Sequence, residues 1–166
     1  MGKTAHDIVV ESLKGELQAV DFYLAVAEAA QNNEVKHLAQ QFAAEEEKHL
    51  HLLVDWLEQD GDPTLRAALQ EIRLLLGGPS REPAIIRSWK EKDSQVRAPD
   101  SVQALLTMAI AKEAESINYC QKLEKEVAEP LARRMLVKMC QDEERHKLFL
   151  EQQYEKLLRE GNVLSS

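Results

Sequence analysis

The sequence has few aromatic residues and few glycines, and both shortages narrow the fold class. Aromatic residues make up 5% of the 166 positions and glycine only six of them, while 44% of all residues are hydrophobic. Sheet proteins rely more heavily on aromatic residues and on glycine-containing turns. We therefore expect an all-α protein, and a chain of this length is long enough to bury a sizeable core as a single domain.

Cysteine, positive charge and long apolar runs are also scarce. The two cysteines, Cys120 and Cys140, form no Cys-x-x-Cys motif, which excludes a zinc ribbon and a disulfide framework. A net charge of −8 argues against a nucleic-acid partner. The sequence shows neither a secretion signal nor an apolar run of the roughly 20 residues that a membrane span needs. We expect a cytoplasmic protein with no membrane partner.

Four long helical patterns and one shorter pattern are separated by capping and turn residues. Two short turns make antiparallel helix pairs, and some 40 residues separate one pair from the other. Two helical hairpins joined by a long helical crossover are the connectivity of a ferritin-like four-helix bundle. We predict a single ferritin-like domain over 1–166, with a first helix pair at about 5–60, a crossover at about 61–100 and a second pair at about 101–160. The predicted helices run from about Ala5 to Ala30, Glu34 to Gln59, Thr64 to Leu76, Val102 to Val127 and Pro130 to Glu160.

Three carboxylate or imidazole residues recur at an offset of 97 positions. The first half holds Glu16 and, thirty residues later, the Glu-x-x-His pair Glu46 and His49; the second half repeats this pattern as Glu113, Glu143 and His146. In four-helix bundles, a Glu from each of two helices and a Glu-x-x-His from each of the other two converge on a di-iron or di-manganese centre. We predict these six residues as the metal ligands.

Chance is a poor explanation for this repeat. With 21 Glu and five His in the chain, roughly 0.6 Glu-x-x-His matches are expected from composition alone. Three occur, and the third, Glu34 with His37, has no counterpart because the same offset leads to Leu131 and Arg134. We expect that third pair to lie on the surface of the first turn of its helix.

Helical phase places every predicted ligand on an apolar stripe, because successive residues advance by about 100° around a helix axis. In the first helix, for example, Glu16 lies within the stripe that includes Leu13, Val20 and Tyr23. The other ligands lie in equivalent stripes. The remaining acidic and imidazole residues near the ligands fall off the stripes and are expected to be solvated: Glu45, Glu47, His51, Glu115 and Glu144.

Four inward-facing carboxylates require positive charge, since an unpaired buried charge costs several kcal/mol. Two divalent ions would balance them. Mixed carboxylate and imidazole ligation suits two Fe ions, with Mn or Zn possible in their place. Glu46 and Glu143 are expected to bridge the metals, Glu16 and Glu113 to be terminal ligands, and His49 and His146 to bind one metal each. The alternative is a buried polar layer of Glu and His without metal.

The motifs around these ligands resemble the rubrerythrin branch of the ferritin-like superfamily. They are Lys14-Gly15-Glu16 with Tyr23, the segment from Phe42 to His49, and the segment from Asp142 to His146. The resemblance implies a di-iron centre that reacts in the diferrous state with hydrogen peroxide or dioxygen. It also implies Tyr23 as a hydrogen-bond partner of a ligand carboxylate, although packing as an ordinary core aromatic is as good an interpretation.

The sequence departs from this family at two points. Ser116 stands where rubrerythrins have a further Glu, three residues after the ligand Glu113, and the counterpart in the first half is Ala19. The four cysteines of a rubredoxin-like iron domain are also missing. Any reductant is therefore expected to be a separate electron-donor protein. Cys120 and Cys140 are interpreted as small core residues, with redox activity as the open alternative.

Three functional classes follow from these observations. The first is an enzyme, a di-iron oxidoreductase of the peroxidase or oxidase type or a related di-iron hydroxylase. The second is a ferritin-like ferroxidase or iron-handling protein, and the third is a metal-structural protein. The first is favoured. We also expect a homodimer or other homo-oligomer.

Overall fold

All regular elements that the structure describes are helices. The computed structural model describes residues 3–60, 63–77 and 98–164. Within these ranges the expected all-α, ferritin-like fold class is confirmed. The elements, in chain order, are α1 (Ala5–Ala29), α2 (Asn33–Asp60), a 3₁₀ turn (Pro63–Leu65), α3 (Arg66–Gly77), α4 (Val102–Glu126) and α5 (Pro130–Leu164).

The chain divides into two compact units, Met1–Pro99 and Asp100–Ser166. In the first unit, α1 packs along α2, and α3 contacts both of them. In the second unit, α4 packs along α5. The two predicted helical hairpins are therefore present, one in each unit. The assignment of the whole chain to a single domain stays a prediction.

Side chains just before each long helix accept hydrogen bonds from its first backbone amides. Thr4 and Asp7 form a reciprocal capping box at α1, with the Asp7 amide 3.1 Å from Thr4 Oγ1. Asn32 accepts from the Glu34 amide at the start of α2, at 2.8 Å. Ser101 caps α4, and Glu129 accepts from the Leu131 and Ala132 amides at α5. These bonds fix where each helix starts, because the first four amides of a helix have no partner within it.

The sequence of the short helix carries an apolar stripe at helical spacing, Leu65, Leu69, Ile72 and Leu76, which predicts a crossover helix packed against the bundle. In the structure, α3 packs against the first hairpin. Leu65, Leu69 and Ile72 are all buried. On its solvent side, Arg73 bonds to two carboxylates of α2, with Nη2 2.6 Å from Asp55 Oδ1 and Nε 2.8 Å from Glu58 Oε1. The predicted stripe residue Leu76 has no described side chain.

The end of α5 differs from the prediction. The helix was expected to stop near Glu160, before Gly161, but it continues to Leu164. A glycine ends a helix when it adopts the left-handed conformation, whereas Gly161 keeps a helical backbone. Residues 61, 62 and 78–97 of the predicted crossover lie outside the described residues.

None of the described helices combines the length and the apolar character that crossing a membrane would require.

Candidate metal centre

The first unit brings three predicted ligands to the interior of its hairpin. Glu16 lies on α1, and Glu46 and His49 lie one turn apart on α2; each is only 5 to 6% exposed. The apolar residues that share the stripe of Glu16 are buried as well, so the predicted inward phase of α1 is confirmed. They are Val9, Leu13, Val20, Tyr23 and Ala27.

Glu16 and His49 are close neighbours, with 3.1 Å between His49 Nδ1 and Glu16 Oε2. Within the described part of the chain, Glu16 Oε2 receives no hydrogen bond. A carboxylate oxygen and an imidazole nitrogen at this separation attract a common positive charge, either a proton between them or a metal ion. The helical register of α1 against α2 therefore creates a pair of converging donor atoms suited to a cation.

The second unit repeats the arrangement on α4 and α5. Glu113 and Glu143 are 4% and 3% exposed. His146 is less deeply buried, with 29% of its side chain exposed, and its Nδ1 lies 4.0 Å from Glu143 Oε1. The apolar stripes of α4 and α5 also face the interior of the hairpin, since Leu106, Met139 and Leu150 are buried.

Residues predicted to lie off the apolar stripes are exposed or half-buried in the structure. Glu34 and His37 are exposed, which confirms that the third Glu-x-x-His match is a surface pair. Of the other off-stripe residues, Glu47 is half-buried, with its Oε1 4.0 Å from His51 Nε2. The rest are exposed: Glu45, His51, Glu115 and Glu144.

The charge of the buried groups is the main indication of a metal. Five carboxylates are buried, the four predicted ligands Glu16, Glu46, Glu113 and Glu143 together with Asp21, whereas no Lys or Arg in the described ranges is buried. Leaving carboxylates buried without a compensating charge costs several kcal/mol each. Among the described residues, no Lys or Arg lies in the interior to offset this negative charge. Two Glu and one His per unit are also half of the ligand set of a di-iron carboxylate site, so these residues fit such a site.

Two further buried residues lie close in sequence to the ligands of α1. Tyr23 packs edge-on against Phe22 and Phe42, with ring centroids 5.3 and 5.4 Å apart. Its packing as a core aromatic is confirmed, and its expected bond to a ligand carboxylate stays a prediction. Ser12, one turn before Glu16, is 3% exposed, and its hydroxyl has no hydrogen-bond partner in the described ranges. Sequence reasoning missed Ser12; its position four residues before a ligand was the available signal.

Comparison with known proteins gives one result that bears on this site. A family model, Rubrerythrin, matches residues 7–154, a range that includes all six predicted ligands. Neither the search of curated proteins nor the search of solved structures found a match. The family match covers most of the chain and agrees with the helical fold and with the buried Glu and His residues. The chain therefore belongs to the rubrerythrin family.

Proposed function

We propose that the two ligand sets together hold two iron ions, and that the loaded protein reduces hydrogen peroxide or dioxygen. The observation that carries this proposal is the burial of four Glu carboxylates where no Lys or Arg is buried among the described residues. Two divalent ions balance four carboxylates by charge. The rubrerythrin family match favours iron over manganese or zinc.

Each ligand has a proposed role. Glu46 and His49 of the first unit, and Glu143 and His146 of the second, offer carboxylate and imidazole donors suited to a metal ion. Glu46 and Glu143 would be shared between the two ions, and each His would bind one of them. Glu16 and Glu113, the lone carboxylates of α1 and α4, are the terminal ligands. This set is a mixture of hard oxygen and borderline nitrogen donors, which suits iron.

The chain's own residues orient the ligands and limit the access of water. The Glu-x-x-His spacing places two ligands one turn apart on the same helix face. Buried apolar residues such as Leu13, Val20 and Leu53 lie on the same faces as the ligands, so these apolar side chains exclude water from the ligands' surroundings. When bound, a pair of irons would supply the electrons that reduce a two-oxygen substrate.

The residues that differ from the family pattern limit the expected chemistry. Ser116 and Ala19 are half-buried and offer no carboxylate, so neither half provides a seventh protein ligand. A metal that cannot exchange one carboxylate for another is expected to discriminate less between its oxidants. We therefore propose a weaker preference for peroxide over dioxygen than in family members with the additional Glu, with a separate electron-donor protein as reductant.

The proposal is tested by loading the protein anaerobically with ferrous iron and mixing it with peroxide or dioxygen in a stopped-flow spectrometer. Oxidation within minutes, followed by near-ultraviolet absorbance, is the expected result. Glu113→Ala should react much more slowly, and the exposed control Glu34→Ala should react as the unmodified protein does. If the loaded protein reacts with neither oxidant over many minutes, the oxidoreductase function is wrong and a metal-structural role replaces it.

A further inference from the structure

The two cysteines of the chain meet in the interior of the second unit. Cys120 lies on α4 and Cys140 on α5, and they are 2% and 6% exposed. Both are free thiols. The Cys120 thiol hydrogen bonds to the sulfur of Cys140. Twenty positions separate them in the sequence, and their contact results from the register of α4 against α5.

Their position relative to the predicted ligands is regular. Cys120 lies seven residues, or about two helical turns, after Glu113, and Cys140 lies three residues, or about one turn, before Glu143. Seven-residue and three-residue steps keep a side chain on nearly the same helix face. The two thiols and the two carboxylates therefore share the inward face of this hairpin.

We propose that Cys120 and Cys140 form a thiol redox site that hydrogen peroxide converts to an intramolecular disulfide. One thiolate attacks a peroxide oxygen, the oxygen–oxygen bond breaks, and a sulfenic acid and one water result. The second thiol then attacks the sulfenic sulfur, and a second water leaves. In total, two thiols and one peroxide give one disulfide and two waters, so that the sulfurs lose two electrons and the peroxide gains them.

The environment of the two thiols makes the first oxidation slow but favours the disulfide as its product. Burial raises the pKa of the Cys140 thiol, the hydrogen bond from Cys120 opposes this shift, and the carboxylates of Glu124, Glu144 and Glu143 raise the pKa further. Little thiolate is present at neutral pH, so the reaction is slower than at an activated cysteine. Once one sulfur is oxidised, the other is already in contact with it, which favours the disulfide over further oxidation.

The site does not depend on the proposed metal function, because the reaction uses only the two thiols and the peroxide. It gives the chain a second route for consuming peroxide, and an external dithiol can reverse it. A disulfide between α4 and α5 also joins the two helices that carry Glu113, Glu143 and His146. The redox state of the pair is thereby linked to the hairpin that holds half of the predicted ligands.

The test is peptide mapping of the full-length protein. Protein as purified is reduced, freed of reductant and exposed to hydrogen peroxide; its remaining thiols are then alkylated under denaturing conditions before digestion with trypsin. The expected result is a linked pair of peptides, 113–122 and 139–145, that separates on reduction. Chain mass should fall by two hydrogens with no dimer on a non-reducing gel. A parallel sample in which diamide replaces peroxide should give the same link.

Variants and alternative outcomes make the test decisive. Cys120→Ser should give no linked peptide and should leave Cys140 alkylated or oxidised to an acid, with Cys140→Ser giving the reverse pattern. The linked peptide is measured on the unmodified chain, so the result does not depend on whether a variant folds. Two thiols that remain fully alkylated after peroxide exposure, sulfinic acids without a link, or a link only between chains would each overturn the proposal. Because none of these measurements involves iron oxidation, failure here leaves the di-iron proposal intact.

Discussion

The two hairpins repeat the same ligands but surround them differently. In the first hairpin, His49 is 5% exposed and its Nδ1 lies 3.1 Å from Glu16. In the second, 29% of the His146 side chain is exposed, and its Nδ1 lies 4.0 Å from Glu143 Oε1. The sequence repeat therefore preserves the donor types, whereas the packing around each imidazole is specific to its hairpin.

The neighbouring side chains differ more than the ligands do. The offset of 97 that relates the ligands also relates Tyr23 to Cys120 and Ala43 to Cys140. At these positions, the first hairpin has an aromatic ring, Tyr23, that packs on Phe42. The second hairpin has the two thiols in contact there. The same predicted ligands therefore have an aromatic neighbour in one hairpin and two thiols as neighbours in the other.

The hairpins also differ in what covers their outer surfaces. The first is covered by α3, whereas the second consists of α4 and α5 alone within the described ranges. Large apolar residues are exposed on both hairpins, two on the first and four on the second: Leu24, Leu52, Tyr119, Leu148, Phe149 and Leu158. The first hairpin should therefore depend on its additional helix for stability, and the following experiments test this and the other contrasts.

The largest expected effect is that of metal removal. Chelation should lower the free energy of unfolding by about 4 kcal/mol where free metal was about 1,000 times its dissociation constant. Both Glu46→Ala and Glu143→Ala should lose most of this metal-dependent stabilisation, because each hairpin supplies half of the ligands. The measurement is thermal unfolding with and without chelator. Loss of the effect in only one of the two variants would show that one hairpin alone holds the metal.

The second-largest expected loss of stability comes from truncating a buried side chain of α3. Ile72 is fully buried, so Ile72→Ala should cost about 3 kcal/mol, the range for removing a buried aliphatic side chain. Leu74 lies on the same helix but is 77% exposed, and Leu74→Ala should cost less than about 0.5 kcal/mol. Denaturant unfolding of the two variants provides the comparison. Equal costs would mean that α3 does not stabilise the first hairpin by burying Ile72.

A smaller gain is expected at Gly15, beside the ligand Glu16. Gly15 is exposed within α1, and no atom lies within 4 Å of the position that a Cβ would take. Gly15→Ala should therefore stabilise the protein by up to about 1 kcal/mol through helix propensity. Gly161 has equally open surroundings but lies in the last turn of α5, so Gly161→Ala should have less effect. Destabilisation by Gly15→Ala would indicate that the position next to Glu16 requires glycine.

The smallest effect is the pH dependence of the contact between α3 and α2. The hydrogen bond from Arg73 lowers the pKa of the exposed Glu58 from its ordinary value of 4.5. Because the folded pKa lies below the unfolded one, this stabilisation is fully present above pH 4.5 and is lost as pH falls through the lowered pKa. The melting temperature of Arg73→Ala should therefore differ from that of the unmodified protein more at neutral pH than at about pH 3.

A suitable control is Arg159→Ala, since Arg159 contacts Glu155 within α5 and joins no second helix. It should change the melting temperature by less than Arg73→Ala does at neutral pH. A difference between Arg73→Ala and the unmodified protein that grows as pH falls would contradict the assigned role of the Glu58 contact.

Periodicity and offset were sufficient to predict which faces of the helices turn inward. Glu16, Glu46, His49, Glu113 and Glu143 are all buried as expected, because helical phase depends only on spacing along one chain segment. Residues that depend on contact between helices were harder to predict. Spacing along the sequence does not reveal the register of α4 against α5. The contact between Cys120 and Cys140 could therefore not be predicted.

Helix ends show the same limit in another form. The start of α4 at Ser101 was predicted, because serine before an apolar stripe is a strong capping signal. Gly161 was interpreted as the end of α5, yet the helix continues. A glycine permits a left-handed turn without requiring one, and sequence alone does not show which conformation it adopts.

The most direct test of the central claim is the iron content per chain of protein reconstituted with ferrous iron, measured by elemental analysis. We expect two irons per chain for the unmodified protein, and well below two for Glu46→Ala and Glu143→Ala alike. The exposed-pair controls Glu34→Ala and His37→Ala should keep both irons. Full iron content in either ligand variant, or loss of iron in either exposed-pair control, would contradict the assignment of the six repeated residues as ligands.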